Sequence, residues 1–101
     1  MNLDMLIPGP TLDALVIKEL GEDAPQDFHP STDDADVMIV VDWWLNAGPH
    51  RSFELRTSAN YEWIVLFVGR LEKKSGTEVS KTRAEAISKA FLKYMGSKAK
   101  P

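Results

Sequence analysis

The chain has no cysteine, which excludes disulfides, thiolate metal sites and cysteine nucleophiles together. It also lacks any apolar run near the roughly 18 to 20 residues that a bilayer-crossing helix needs. Met1 to Pro10 has neither the basic start nor the long apolar centre of a secretory signal, so a cytoplasmic location is expected. No glycine-rich phosphate loop, Walker lysine or dinucleotide fingerprint occurs. Histidine is scarce: His29 and His50 each stand beside a proline, with no Ser or Asp at a recognisable spacing. A general base needs a partner to orient it and reach to a substrate. No catalysis, no cofactor and no membrane association is therefore expected.

What is present reads as an ordinary folded domain. Apolar residues make up 44% and charged residues 27% of 101 positions, enough for one modest core. A single domain over residues 1–96 is expected, with 97–101 as a disordered tail. The net charge of -3 hides an asymmetry. Residues 1–50 hold ten acids against one base, Lys18, whereas residues 51–101 hold five Glu against eleven Lys and Arg. Such halves attract each other within one fold or between copies, or present a basic face to an anionic partner.

Periodicity orders the elements. Pro10 suits a first helical turn, Leu12, Leu15, Val16 and Leu20 repeat at helical spacing, and Gly21 is placed to end a first helix over residues 10–20. Pro30-Ser31-Thr32-Asp33 then announces a second helix. Ser31 or Thr32 is a candidate cap, Ser31 and Asp34 have capping-box spacing, and Asp33, Asp34 and Asp36 complement the helix dipole. Val37, Val40, Val41 and Trp44 share one face, with Met38 and Leu45 alongside, so this helix is expected to be the centre of the domain. Asn46-Ala47-Gly48-Pro49 stops it.

The period then becomes two. Phe53, Leu55 and Thr57 alternate with polar residues, Ser58-Ala59-Asn60 reads as a hairpin loop, and Tyr61 to Val68 is the strongest strand. One of its faces carries Tyr61, Trp63, Val65 and Phe67, the other Glu62, Ile64, Leu66 and Val68. A strand apolar on both faces is either covered twice or meets a partner on one side. Gly69 to Glu72 is expected to extend it, Lys73 to Gly76 to turn, and Thr77 to Val79 to form a short third strand. The last helix, Lys81 to Met95, has Ala84, Ile87, Ala90, Phe91, Tyr94 and Met95 on one stripe and Lys89 and Lys93 opposite, with Gly96 ending it. The fold class is α+β: an α-α-β-β-(β)-α sandwich with a small antiparallel sheet packed by helices.

Three blocks in this order, Gly9-Pro10-Thr11-Leu12-Asp13-Ala14-Leu15-Val16, Pro30-Ser31-Thr32-Asp33, and Thr82 to Leu92, resemble the phage ABA sandwich domain family of small bacteriophage and prophage proteins. The resemblance covers residues 9–95. It implies a phage or prophage accessory protein of uncharacterised role, and it carries no catalytic or binding residue across. The family often has Trp where this chain has Met38, and the stretch from Gly69 to Lys81 is longer than the family pattern.

Candidate sites follow from residue type. Asp33, Asp34 and Asp36 could hold a hard cation, but an EF-hand spacing is absent and helix-dipole complementation explains them; no metal is expected. Adjacent Trp43 and Trp44 point about a hundred degrees apart on a helix. Trp44 fits the buried stripe, which leaves Trp43, with Tyr61 and Trp63 of the strand, as the candidate protein contact. Self-association as a homo-oligomer, or binding to a host or phage protein, is the first reading. The alternative is nucleic-acid binding through Lys73, Lys74, Lys81, Arg83, Lys89 and Lys93, in the manner of a double-stranded RNA-binding helix. Against it stand the acidic helix before the strands and a pI near 5.3. A third reading has the same cations sequester a small anionic ligand between subunits.

Overall fold

The computed structural model describes residues Leu3 to Ser97. Pro10 opens α1 (Pro10–Leu20), and Gly21, at φ 61°, closes it. Leu12, Val16 and Leu20 are buried, as their spacing predicts. Asp13 is buried beside them for a reason that periodicity does not reveal. Its carboxylate accepts the Ser31 amide at 2.8 Å, and Ser31 Oγ accepts the Gly9 amide at 2.9 Å. Ser31 therefore fastens the start of α1 to the segment before α2 (Asp34–Asn46). This corrects the capping box: the cap of α2 is Asp33, which accepts the Asp36 amide at 3.0 Å, while the Ser31 hydroxyl is committed elsewhere.

Val37, Val40, Val41 and Trp44 are buried on α2 as expected, but Met38 and Leu45 are exposed. The centre of the domain is α3 (Arg83–Met95), not α2. The sheet packs against one side of α3, α1 and α2 against another, and a 3-10 turn, Leu3–Met5, lies over a third. Ala84, Ala86, Ile87, Ser88, Lys89, Ala90, Phe91, Leu92 and Tyr94 are all buried as a result. Thr82 caps α3 by accepting the Glu85 amide, and Gly96 ends it in the left-handed region at φ 76°.

The sheet is antiparallel in the order β1-β2-β3, comprising β1 (Arg51–Thr57), β2 (Trp63–Gly69) and β3 (Lys74–Ser80). Two expectations are corrected here. Tyr61 has φ 60° and belongs to the turn, where the Ser58 amide donates to the Glu62 carbonyl at 2.8 Å, so β2 begins at Trp63. The third strand is seven residues long and takes in Lys74, Ser75 and Gly76; the turn is the stretch from Arg70 to Lys73. Gly76 is in the strand because α3 crosses it closely: a Cβ there would lie 2.2 Å from the Ala90 carbonyl oxygen.

Strand pairing decides which face is covered. Phe53 lies opposite Phe67 and Leu55 opposite Val65. The apolar residues of β1 thus join Trp63, Val65 and Phe67 on the face against the helices. Phe67 meets Trp44 edge-on at 4.8 Å, Phe53 at 5.1 Å and Phe91 at 6.1 Å. At the far end of the sheet Glu72, in the turn after β2, is held by Arg51 at 2.8 Å and by the Tyr94 hydroxyl at 2.8 Å. The expected tail lies, from residue 98 on, outside the described residues. Ser97 itself donates its amide to Leu92 and its hydroxyl to Glu19.

Candidate functional site

The opposite face of the sheet has no helix on it among the described residues. The registers set three rows across it: Ser52, Val68 and Ser75; Glu54, Leu66 and Thr77; Arg56, Ile64 and Val79. The middle of the face is a column of three half-buried aliphatic side chains, Ile64, Leu66 and Val68, and Val79 beside it is 46% exposed. Small hydroxyl residues border it on the β3 side. On the β1 side an acid and a base stand together, Glu54 Oε2 accepting from Arg56 Nη2 at 2.8 Å. An isolated aliphatic residue at the surface needs no explanation, but four contiguous ones on an uncovered sheet face do.

The expected contact residues are placed differently. Trp43 is half-buried, edge-on to Phe91 at 6.0 Å, and its indole N–H donates to the Asp23 carboxylate at 2.8 Å. Its polar handle is thus used within the chain. Tyr61 is 91% exposed at the tip of the β1–β2 turn. Trp63 lies on the covered face, with the Arg83 guanidinium 5.3 Å above its ring. The structure does not bring the three aromatics onto one surface. Ile64, Leu66, Val68 and Val79, with Glu54 and Arg56, form the open face instead. Alternation alone could separate the two faces of β2; the missing signal was that the apolar side of β1 must pair with the covered one.

The six cations are dispersed as well. Lys73 and Lys74 stand at one end of β3, Lys81 just beyond the other. Lys89 is 4% exposed, its ammonium 2.7 Å from Glu85 and 3.3 Å from the Asp4 carbonyl. Lys93 pairs with Asp4 at 2.7 Å and with Glu78 at 3.4 Å. Lys89 and Lys93 stand opposite the apolar stripe of α3, yet the Leu3–Met5 turn covers that side of the helix and brings Asp4 to both. Burial and the neighbouring Asp4 together push the Glu78 carboxyl above the ordinary range, while the hydrogen bond from Lys93 holds Asp4 below it.

The remaining candidates are occupied by their neighbours. Asp33 caps α2, Asp34 pairs with Arg83 at 2.6 Å, and Asp36 accepts the His29 amide at 2.8 Å. No group of three or more His, Asp or Glu is arranged to hold a metal ion among the described residues. His29 lies 2.9 Å from Asp27 and 3.6 Å from Asp13, and the hydrogen bond to Asp27 raises its pKa. An open cleft of about 630 Å³ lies where α2 and α3 begin, lined by Asp33, Asp34, Trp63, Lys81 and Arg83 among others. Its two acids and two bases cancel, so it favours ligands of neither sign. No helix among the described residues is long and apolar enough to cross a membrane. Comparison with protein-family models, with curated proteins and with solved structures returns no match.

Proposed function

We propose that this chain is a binding protein rather than an enzyme, and that the open face of its sheet is the working surface. The observation that carries the reading is the aliphatic column Ile64, Leu66 and Val68, joined by Val79, on a face over which no helix packs among the described residues. A strand apolar on both sides is explained once its second side meets another molecule, and β2 is covered on one side by the rest of the chain. The cytoplasmic setting and the phage or prophage origin belong to the same proposal. They rest on the resemblance carried by the three sequence blocks. Two of those blocks have a physical role of their own, since Gly9, Asp13 and Ser31 bind one another and hold α1 to the start of α2.

Nucleic-acid binding has less support, because Lys89 is buried and Arg83 and Lys93 are engaged by carboxylates within the chain. The test of the binding reading is a photo-crosslinking amino acid at position 66, incorporated in the cell that makes the protein. Covalent adducts are expected from position 66 and not from the exposed Ala14 of α1. Equal labelling from both positions, or none from position 66, refutes the reading.

A further inference from the structure

The open face carries one acid and one base, and their arrangement selects an occupant. We propose that the face docks onto a second copy of this chain around a two-fold axis that crosses the strands between the Leu66 and Ile64 rows. The proposal rests on the reading of this face as a binding surface and names its partner.

The argument starts from the rows. Glu54, Leu66 and Thr77 form one, and Arg56, Ile64 and Val79 form the next. A two-fold axis in the plane between two facing sheets, running across the strands and between these rows, lays each row over the other row of the second copy. Glu54 then faces Arg56 of the other copy, Leu66 faces Ile64, and Thr77 faces Val79, each contact occurring twice. This is the self-complementarity an isologous interface requires. Aligned sheets pack about 10 Å apart, which the interdigitated aliphatic side chains fill.

The obvious competitor is an axis running along the strands. It would set β1 over β3, leaving Glu54 against Thr77 and Arg56 against Val79, so that each charge loses water without gaining an opposite charge. The first arrangement avoids that cost by exchanging the pair. Glu54 and Arg56 bind each other within one chain at 2.8 Å, and both are more than half exposed there. Docking exchanges the two intrachain contacts, one in each copy, for two equivalent contacts between copies. Because the face carries one acid and one base, two copies of an acidic protein meet there without local repulsion.

Area sets the strength. Three strands about 4.8 Å apart and some five residues long present roughly 250 Å² in projection. Even with side-chain relief this stays below the roughly 800 Å² per partner of a standard interface. The dimer is accordingly a weak, concentration-dependent one.

Sedimentation equilibrium of the full chain from roughly 5 to 500 µM tests this. The mass is expected to rise from one chain to two. Leu66→Lys should abolish the rise. Glu54→Arg and Arg56→Glu should each weaken association about tenfold or more, since like charges then face each other. An equimolar mixture of those two variants should recover it, because the first presents two bases to the two acids of the second. That rescue separates ion-pair exchange from damage to folding. A single-chain mass at every concentration overturns the proposal, as does a dimer indifferent to Leu66→Lys or a mixture that fails to recover. A monomeric purified chain with cellular adducts from position 66 refutes the second copy as partner while leaving the binding surface intact. Absence of those adducts refutes the surface itself.

Discussion

The two faces of the sheet have nearly the same raw material on β2 and different fates. Val65 and Phe67 are fully buried on the face that meets the helices, whereas Ile64, Leu66 and Val68, one residue out of step, stay half-buried with no helix above them among the described residues. Side-chain type does not separate the two sets. What separates them is the neighbouring strand: β1 offers Phe53 and Leu55 to one face and Ser52, Glu54 and Arg56 to the other. A helix layer needs an apolar surface wider than one strand, and only one face supplies it. The other face has an apolar column with charged and hydroxyl borders, which suits a reversible contact better than a permanent core.

Substitutions can break that contrast, beginning with the covered face. Phe67→Ala removes the ring that joins Trp44, Phe53 and Phe91, and is expected to cost about 3 to 5 kcal/mol in urea unfolding. That is a large part of the roughly 5 to 15 kcal/mol that holds a domain of this size together. Gly76→Ala comes next. Its Cβ would sit 2.2 Å from the Ala90 carbonyl oxygen and 2.7 Å from the Tyr94 amide nitrogen, so strand and helix must part. A loss of about 2 to 3 kcal/mol is expected, with the shift visible in the thermal midpoint. On the open face Leu66→Thr should cost less than about 1 kcal/mol when measured on the dilute monomer. A loss comparable to that of Phe67→Ala would mean that the outer column is core after all.

The smallest effect concerns the turn that ends the covered face. Hydrogen bonds from Tyr94 and then Arg51 hold the Glu72 carboxyl below its ordinary 4.5. A carboxyl depressed in the folded state contributes stability above its unfolded value, and that contribution is lost as pH falls through the folded value. Wild type and Glu72→Gln should therefore differ in urea midpoint at pH 7 and converge at acid pH below the depressed value. A gap that persists or widens in acid would assign the stabilisation to packing instead.

Much of this arrangement was legible before any coordinates. The ends of α1, the buried stripe of α2, the left-handed Gly96 after α3 and the alternation in β1 and β2 all follow local rules that neighbouring residues obey. The failures share a cause. Ser31 has the spacing of a cap, but its hydroxyl is drawn to Gly9, 22 positions away in the chain. Lys89 and Lys93 stand opposite the apolar stripe of α3, yet the Leu3–Met5 turn covers them and brings Asp4 as a partner. Gly76 looked like a turn residue because nothing local announces that a helix backbone will cross it. The site was harder still: Tyr61 and Trp63 drew attention as aromatics, while the open face belongs to plainer residues whose grouping depends on strand register.

The sequence by itself determined which segments are helical and which extended, where most of them end, and which side of each is apolar, because those properties depend on residues within a turn or two of one another. Tertiary structure alone decided that α3 rather than α2 is enclosed, that an N-terminal turn covers Lys89 and pairs Asp4 with Lys93, and which of two apolar strand faces is left open. Those outcomes depend on which distant segment arrives to cover a surface. Among the described residues, the helices near the three-stranded sheet all lie on one face, which leaves the other without a lid.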